Sequence, residues 1–241
     1  VFFLLKCILV FSISNAQIEI KRVYDLEDPI ISVSNKQYLF YALNKKGIKN
    51  LAKNYIISDN DIISFCLSPL GNELVTISNK KVKKYYLSER VDEVLSKKFK
   101  QESEVRKIIS DKFGKNYFVL LNNGKALMID ELLNIEQIEI NEKIIDISWS
   151  DNLESIFVLT KSSIKRFKDG VFSDSKSLIK TGTFVLPINE IYNIIVGFQD
   201  GSFSILSQDL KKEIRNIRVS KSPITAVINH PEDPHLFIGN S

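Results

Sequence analysis

Two histidines occur in the 241 residues, and both sit in one stretch, His230-Pro231-Glu232-Asp233-Pro234-His235. Imidazole is the side chain best suited to moving protons near neutral pH, so a His-based nucleophilic triad has little to be built from. His230, Glu232, Asp233 and His235 have the composition of a metal site, but Pro231 and Pro234 fit a rigid turn between two strands better. The cysteines, Cys7 and Cys66, are too few for a disulfide framework or a four-ligand zinc site. Cys66 alternates into an apolar strand and reads as a small buried hydrophobe, and Trp149 reads as core in the strand 144–150. The pairs Asp59/Asp61 and Glu27/Asp28 lack the Gly and bidentate Glu of a calcium loop and read as turn and capping residues. Neither Gly-x-x-x-x-Gly-Lys-Ser/Thr nor Gly-x-Gly-x-x-Gly occurs, so no phosphate-cradling loop is indicated. The expectation is a protein that is not an enzyme, with no catalytic, cofactor or metal residue to assign.

Charge offers a different chemistry. Lys and Arg number 33 against 29 Asp and Glu, a net +4, which permits contact with polyanions but falls short of an obligate nucleic-acid binder. The excess is local: residues 79–107 hold ten basic and five acidic side chains. Lys80, Lys81, Lys83, Lys84, Lys97, Lys98 and Lys100 form the candidate basic interaction patch, with Arg90, Arg106 and Lys107 close in sequence. Such an edge can meet RNA phosphates or an acidic protein segment. Lysines on an outer strand also keep sheet edges from pairing with other chains, which is the simpler reading.

The elements that must carry these residues are strands. A composition of 44% hydrophobic and 26% charged residues with 9 Gly and 6 Pro is that of a globular domain, and excludes collagen-like and disulfide-stapled classes. A unit of strand, turn, strand, turn, strand recurs along the chain. Its clearest copy is residues 62–87, with a turn at Ser68-Pro69-Leu70-Gly71-Asn72 and another near Asn79-Lys80. Residues 105–130 repeat it, with Gly114 in the place of Gly71 and Asn122-Asn123-Gly124 as the hairpin turn. Residues 144–167 follow, where Leu153 takes the Gly place. A fourth copy centres on residues 193–206, in which Asp200-Gly201 supplies a tight hairpin. A fifth starts at Pro223, and a weaker one covers residues 29–51. Glu89 to Arg106 has helical spacing at Val91, Val94, Leu95 and Phe99, which leaves a helix as the alternative to an outer strand there.

These units resemble WD repeats, the blades of WD-type β-propellers, at Ser68-Pro69-Leu70-Gly71-Asn72, at Gly197-Phe198-Gln199-Asp200-Gly201 and at residues 230–239. The resemblance covers residues 23–241 and implies an all-β fold, a propeller with five to six blades visible from an incomplete ring of seven or eight. No unit opens with Gly-His or closes with Trp-Asp, so the His/Asp network of regular blades is expected to be absent. Blades apolar on both faces must stack to be buried. Residues 61–69, 74–86 and 108–130 further resemble the first propeller of the transducin-beta-like subunits of the small-subunit processome. That implies a non-catalytic protein-interaction scaffold in ribosome biogenesis, with rRNA processing in the nucleolus as its setting and other proteins of a multi-subunit complex as partners. RNA would be reached through the basic edge.

The ends bear on location. Residues 1–16 form an apolar, signal-like segment with Ser14 and Ala16 at −3 and −1 of a cleavage point; the alternatives are a stretch upstream of the true start or a first strand. The segment is too short for a membrane span. As a signal it would make the chain a secreted or luminal propeller binding a protein or glycan. Residues 17–241 are expected to be the propeller, cut off mid-blade at Ser241.

Overall fold

Apolar alternating runs become strands, and polar side chains such as Ser68, Asp111, Asp130, Thr160 and Asp200 cap turns between them. The computed structural model describes residues 8–9, 13–14, 17–18, 22–23, 32–36, 39–50, 55–88, 91–100, 102–229 and 236–240, in two units, Val1–Lys100 and Gln101–Ser241. The fold is all-β; among the described residues the one helical element is the 3-10 turn Asn189–Ile191.

The first unit holds two four-stranded antiparallel meanders. The first sheet runs Ser32–Lys36, Leu39–Asn44, Gly47–Asn50, Tyr55–Ile57. The second runs Ile62–Leu67, Glu73–Ser78, Lys81–Leu87, Val91–Lys98. Two short pairings, Ile8–Leu9 with Arg22–Val23 and Ile13–Ser14 with Gln17–Ile18, precede them. The other residues of the signal-like segment lie outside those described.

The second unit holds three such sheets and a further strand pair. The third sheet comprises Val105–Ser110, Tyr117–Leu121, Ala126–Ile129 and Ile135–Ile138. The fourth comprises Ile144–Ser150, Ser155–Thr160, Ser163–Lys168 and Val171–Ser177. The fifth comprises Gly182–Ile188, Asn193–Phe198, Ser202–Ser207 and Glu213–Arg218. Ile224–Asn229 pairs with Leu236–Asn240 as the sixth.

The repeat read from the sequence thus falls on real strands, and two details change. Val91–Lys98 is an outer strand rather than a helix, paired from Leu87↔Val91 to Lys81↔Lys98. Only three residues separate Leu87 from Val91, which favours a hairpin, and the third strand's open edge supplies backbone partners that a short isolated helix would lack. The place of Gly71 (φ 71°) and Gly114 (φ 71°) is taken in the fourth sheet by Glu154 (φ 47°), not Leu153, and in the fifth by Tyr192 (φ 54°). Leu153 packs onto the apolar cluster between the fourth and fifth sheets, so the left-handed turn falls one residue later. At the Asp200-Gly201 hairpin, a Cβ on Gly201 (φ +80°) would lie 2.3 Å from the Ser220 carbonyl oxygen. That position admits glycine alone.

Burial on both faces explains why the sheets stack. All six residues of Ser155–Thr160 are buried. Its Ile156 and Val158 pack with Phe118, Leu120 and Ile138 of the third sheet, while Phe157 and Leu159 face Ile194, Val196 and Phe198 of the fifth. Phe184, Ile195 and Phe203 continue the pattern towards Ile224 of the sixth. In the first unit Tyr41, Leu43 and Ile48 pack against Phe65, Leu67 and Leu74. Each fully buried side chain of this kind contributes about 1.5–3 kcal/mol.

The first strands of the second to sixth sheets share one further feature, a bulge at the second residue: Ile63, Arg106, Ile145, Thr183 and Thr225 are skipped in the pairing with the second strand. A bulge bends its strand and re-aims the side chain beside it.

Tyr192 is 65% exposed and carries a left-handed backbone, so Tyr192→Gly is expected to raise stability by about 0.5–1 kcal/mol. Leu153→Gly is expected to lower it by about 1–3 kcal/mol, because it uncovers the cluster beneath. Urea unfolding midpoints of the two variants check the assignment.

Candidate functional site

In the second unit the four first strands face a common cavity of about 300 Å³. Its polar wall is Arg106 and Lys107 from the third sheet, Asp146 and Ser148 from the fourth, Thr183 from the fifth and Thr225 from the sixth. Asp146 ties three of these strands together. Lys107 Nζ donates to Asp146 Oδ1 at 2.8 Å and to the Ile147 carbonyl at 2.7 Å. On the other side the Val185 amide donates to Asp146 Oδ2 at 3.0 Å. The Asp146 side chain is 12% exposed and that of Lys107 35%, so water screens this pair less than it would an ion pair on the surface. Sequence reading did not single out Asp146. Its signal is a carboxylate inside the otherwise apolar run Ile144-Ile145-Asp146-Ile147, which demands a cation or an amide from a neighbour.

In the third, fourth and fifth sheets a second set of contacts joins the connection entering the sheet to the hairpin between its second and third strands. In the third sheet Glu102 pairs with Lys125, while Ser103 Oγ and Glu104 accept from Asn123 and Asn122, both at 3.2 Å. In the fourth, Glu142 accepts from Thr160 Oγ1 at 2.7 Å, Ser162 Oγ at 2.9 Å and Lys165 Nζ at 3.1 Å. In the fifth, Lys180 pairs with Asp200 at 2.9 Å and donates to Ser202 Oγ at 2.8 Å. The hydrogen bond from Thr160, then those from Lys165 and Ser162, hold the Glu142 carboxyl down to about 2. Ser202 and then Lys180 hold Asp200 down to about 2 as well.

The lysine patch divides. Lys84 pairs with Glu73 at 2.9 Å, and Lys83 with Glu93 at 3.1 Å and Asp59 at 3.8 Å. Glu93 is the main reason that the Lys83 ammonium is held above its ordinary range. These two are committed within the second sheet. Lys80, Lys81, Lys98 and Lys100 are exposed and form no ion pair among the described residues. They lie at one end of the sheet: Lys81 stands directly opposite Lys98, and the Phe99 amide donates to the Lys80 carbonyl at 2.8 Å. Lys97, opposite Val82, is half-buried beside them. Arg106 and Lys107 belong to a first strand of the second unit, not to this edge.

The remaining sequence expectations have places too. Cys66 is half-buried rather than buried, with Sγ 3.4 Å from the Leu67 carbonyl oxygen; it lies on the strand face opposite the buried Phe65 and Leu67. Trp149 is half-buried, stacked on Phe118 at 5.8 Å with Nε1 donating to Asp151. Asp59 caps its turn by accepting from the Asp61 amide at 3.0 Å. Residues 230–235, with both histidines, and Glu27, Asp28 and Arg90 lie outside the described residues. Among the described residues no three His, Cys, Asp or Glu side chains gather as a metal site, and no helix is long and apolar enough to cross a membrane.

Asp146→Ala removes the partner of both Lys107 and the buried Val185 amide, and is expected to cost about 2–4 kcal/mol in urea unfolding. Asp146→Asn keeps an acceptor and is expected to cost less than half of that. The pH dependence follows from Glu142. Its carboxyl falls from 4.5 to about 2 on folding, so the contribution is complete above the unfolded value and is lost as pH drops towards the folded one. Melting temperatures measured between pH 5 and pH 2 are therefore expected to fall less steeply in Glu142→Gln.

Compared with known proteins, the chain matches no protein-family model and no curated protein sequence.

Proposed function

We propose that this chain is a non-catalytic protein-interaction scaffold, a propeller-like array of WD-type blades that presents a lysine edge to an acidic segment of a partner protein. The observation that carries the reading is the pairing of Lys81 with Lys98, flanked by Lys80 and Lys100, at one end of the second sheet. Like charges directly opposite each other on a sheet destabilise it by up to about 1 kcal/mol. Carboxylates of a partner would reverse that sign. Lys83 and Lys84, two to three residues away, are neutralised by Glu93, Asp59 and Glu73.

The blade reading rests on the repeated meander, on burial of both sheet faces and on the recurrent bulge of the first strands. The non-catalytic reading rests on the residue inventory of the sequence, with two histidines and no phosphate-cradling loop. Glu142 and Asp200, held at about 2, serve as fixed anions for hydroxyls and lysines within the sheets. A role in small-subunit rRNA processing, implied by the resemblance to transducin-beta-like subunits, is the more specific form of the proposal. It would bring RNA phosphates near the same four lysines.

Fluorescence anisotropy with a glutamate-rich peptide and with a single-stranded oligouridylate tests the reading. The peptide is expected to bind more tightly as salt is lowered, and the double variant Lys80→Glu/Lys98→Glu is expected to weaken it by about tenfold or more. Peptide binding indifferent to the double reversal would overturn the lysine edge. Tighter binding of the RNA would replace the protein partner with a nucleic acid.

A further inference from the structure

We propose that the cavity faced by the first strands of the second unit is a carboxylate-binding pocket that receives a glutamate side chain from a bound protein segment. This site is separate from the lysine edge and does not depend on it. The charges on its wall do not cancel. Lys107 is neutralised by Asp146 at 2.8 Å, while Arg106 is exposed at its bulge and has no hydrogen bond or ion pair among the described residues. One positive charge is therefore left over, on a guanidinium whose planar fork matches a carboxylate in two parallel hydrogen bonds.

The rest of the wall suits a short acidic side chain. Thr183 lines the cavity, and its Oγ1 is buried without a hydrogen-bond partner. A buried hydroxyl in that state is costly, and rotation about its Cα–Cβ bond would bring the oxygen to a ligand. Phe184 and Val227 supply an apolar flank against which the methylenes of a glutamate can lie. A volume of about 300 Å³ is at the small end for ligand pockets, large enough for one side chain and its first waters. A phosphate dianion would bring one charge too many for the single unpaired cation.

Backbone amide NMR shifts of Val185 and Ala226 report on the cavity, with acetyl-Ala-Glu-Ala-amide as probe and acetyl-Ala-Gln-Ala-amide and glutarate as comparisons. The Glu peptide is expected to saturate in the millimolar range, with the Gln peptide weaker by about tenfold. Arg106→Gln is expected to abolish the difference between the two peptides. Because Arg106 is exposed at a bulge, circular dichroism and melting of that variant should match the parent. Lys80→Glu/Lys98→Glu is expected to leave this binding unchanged, which separates it from the lysine edge. Absence of saturable binding, or equal binding in Arg106→Gln, overturns the pocket. Glutarate binding as tightly as the Glu peptide would make it a site for free small carboxylates and overturn the side-chain assignment.

Discussion

A strand that is apolar on both faces cannot be buried by a single neighbour, and Ser155–Thr160 imposes that condition on everything around it. Ile156 and Val158 need the third sheet, Phe157 and Leu159 need the fifth, and the fifth in turn carries Ile195 and Phe203 towards the sixth. Hydrophobic burial is not directional, so it accounts for stacking without fixing how one sheet is set against the next. Polar contacts supply the setting. Asp146 holds Lys107 on one side and the Val185 amide on the other, which locks three first strands at defined heights. At the turns Lys112 pairs with Glu154 at 2.5 Å, and Ser150 donates to Asn189 at 3.3 Å, so the same sheets are joined a second time.

This division of labour determines which charges are left for other molecules. Most carboxylates named above are consumed by the architecture: Glu142 by Thr160 and Lys165, Asp200 by Lys180 and Ser202, Glu73 and Glu93 by Lys84 and Lys83. Among the described residues left without an ion pair, which are of both signs, are the four lysines at the end of the second sheet and Arg106 at its bulge. A modest net charge of +4 is compatible with two local cationic features, because the carboxylates beside them, Glu73, Glu93 and Asp146, are already paired with other lysines. Lys81, Lys98 and Arg106 are presented from strands, and Lys80 and Lys100 from positions just beyond the strand ends, so little backbone order has to be gained on binding.

The sequence is legible where the physics is local. Alternation and turn residues place nearly every strand of the repeat, and Asp200-Gly201 marks its hairpin, because these signals act over a few residues. Two local signals mislead. The spacing of Val91, Val94, Leu95 and Phe99 suits a helix, yet the open edge of Lys81–Leu87 decides for a strand. Leu153 aligns with a glycine, yet its packing moves the left-handed residue to Glu154. What depends on contacts between distant segments is not legible at all. Asp146 meets Lys107 and Val185, each 39 residues away, and nothing local states that distance. The lysine patch is half legible: its composition is plain, but which of its members are neutralised depends on the register of Glu73 and Glu93 across the sheet.

The central claim is that four lysines at one end of the second sheet face the carboxylates of a partner protein. Zero-length carbodiimide cross-linking of the protein in its native extract, read by mass spectrometry, joins a lysine amine directly to a carboxylate in contact with it. The expected result is a set of cross-links from Lys80, Lys81, Lys98 and Lys100 to Asp or Glu of another protein, with Lys84 linked only to its own Glu73. Cross-links to other proteins that avoid these four lysines and start elsewhere on the chain would contradict it.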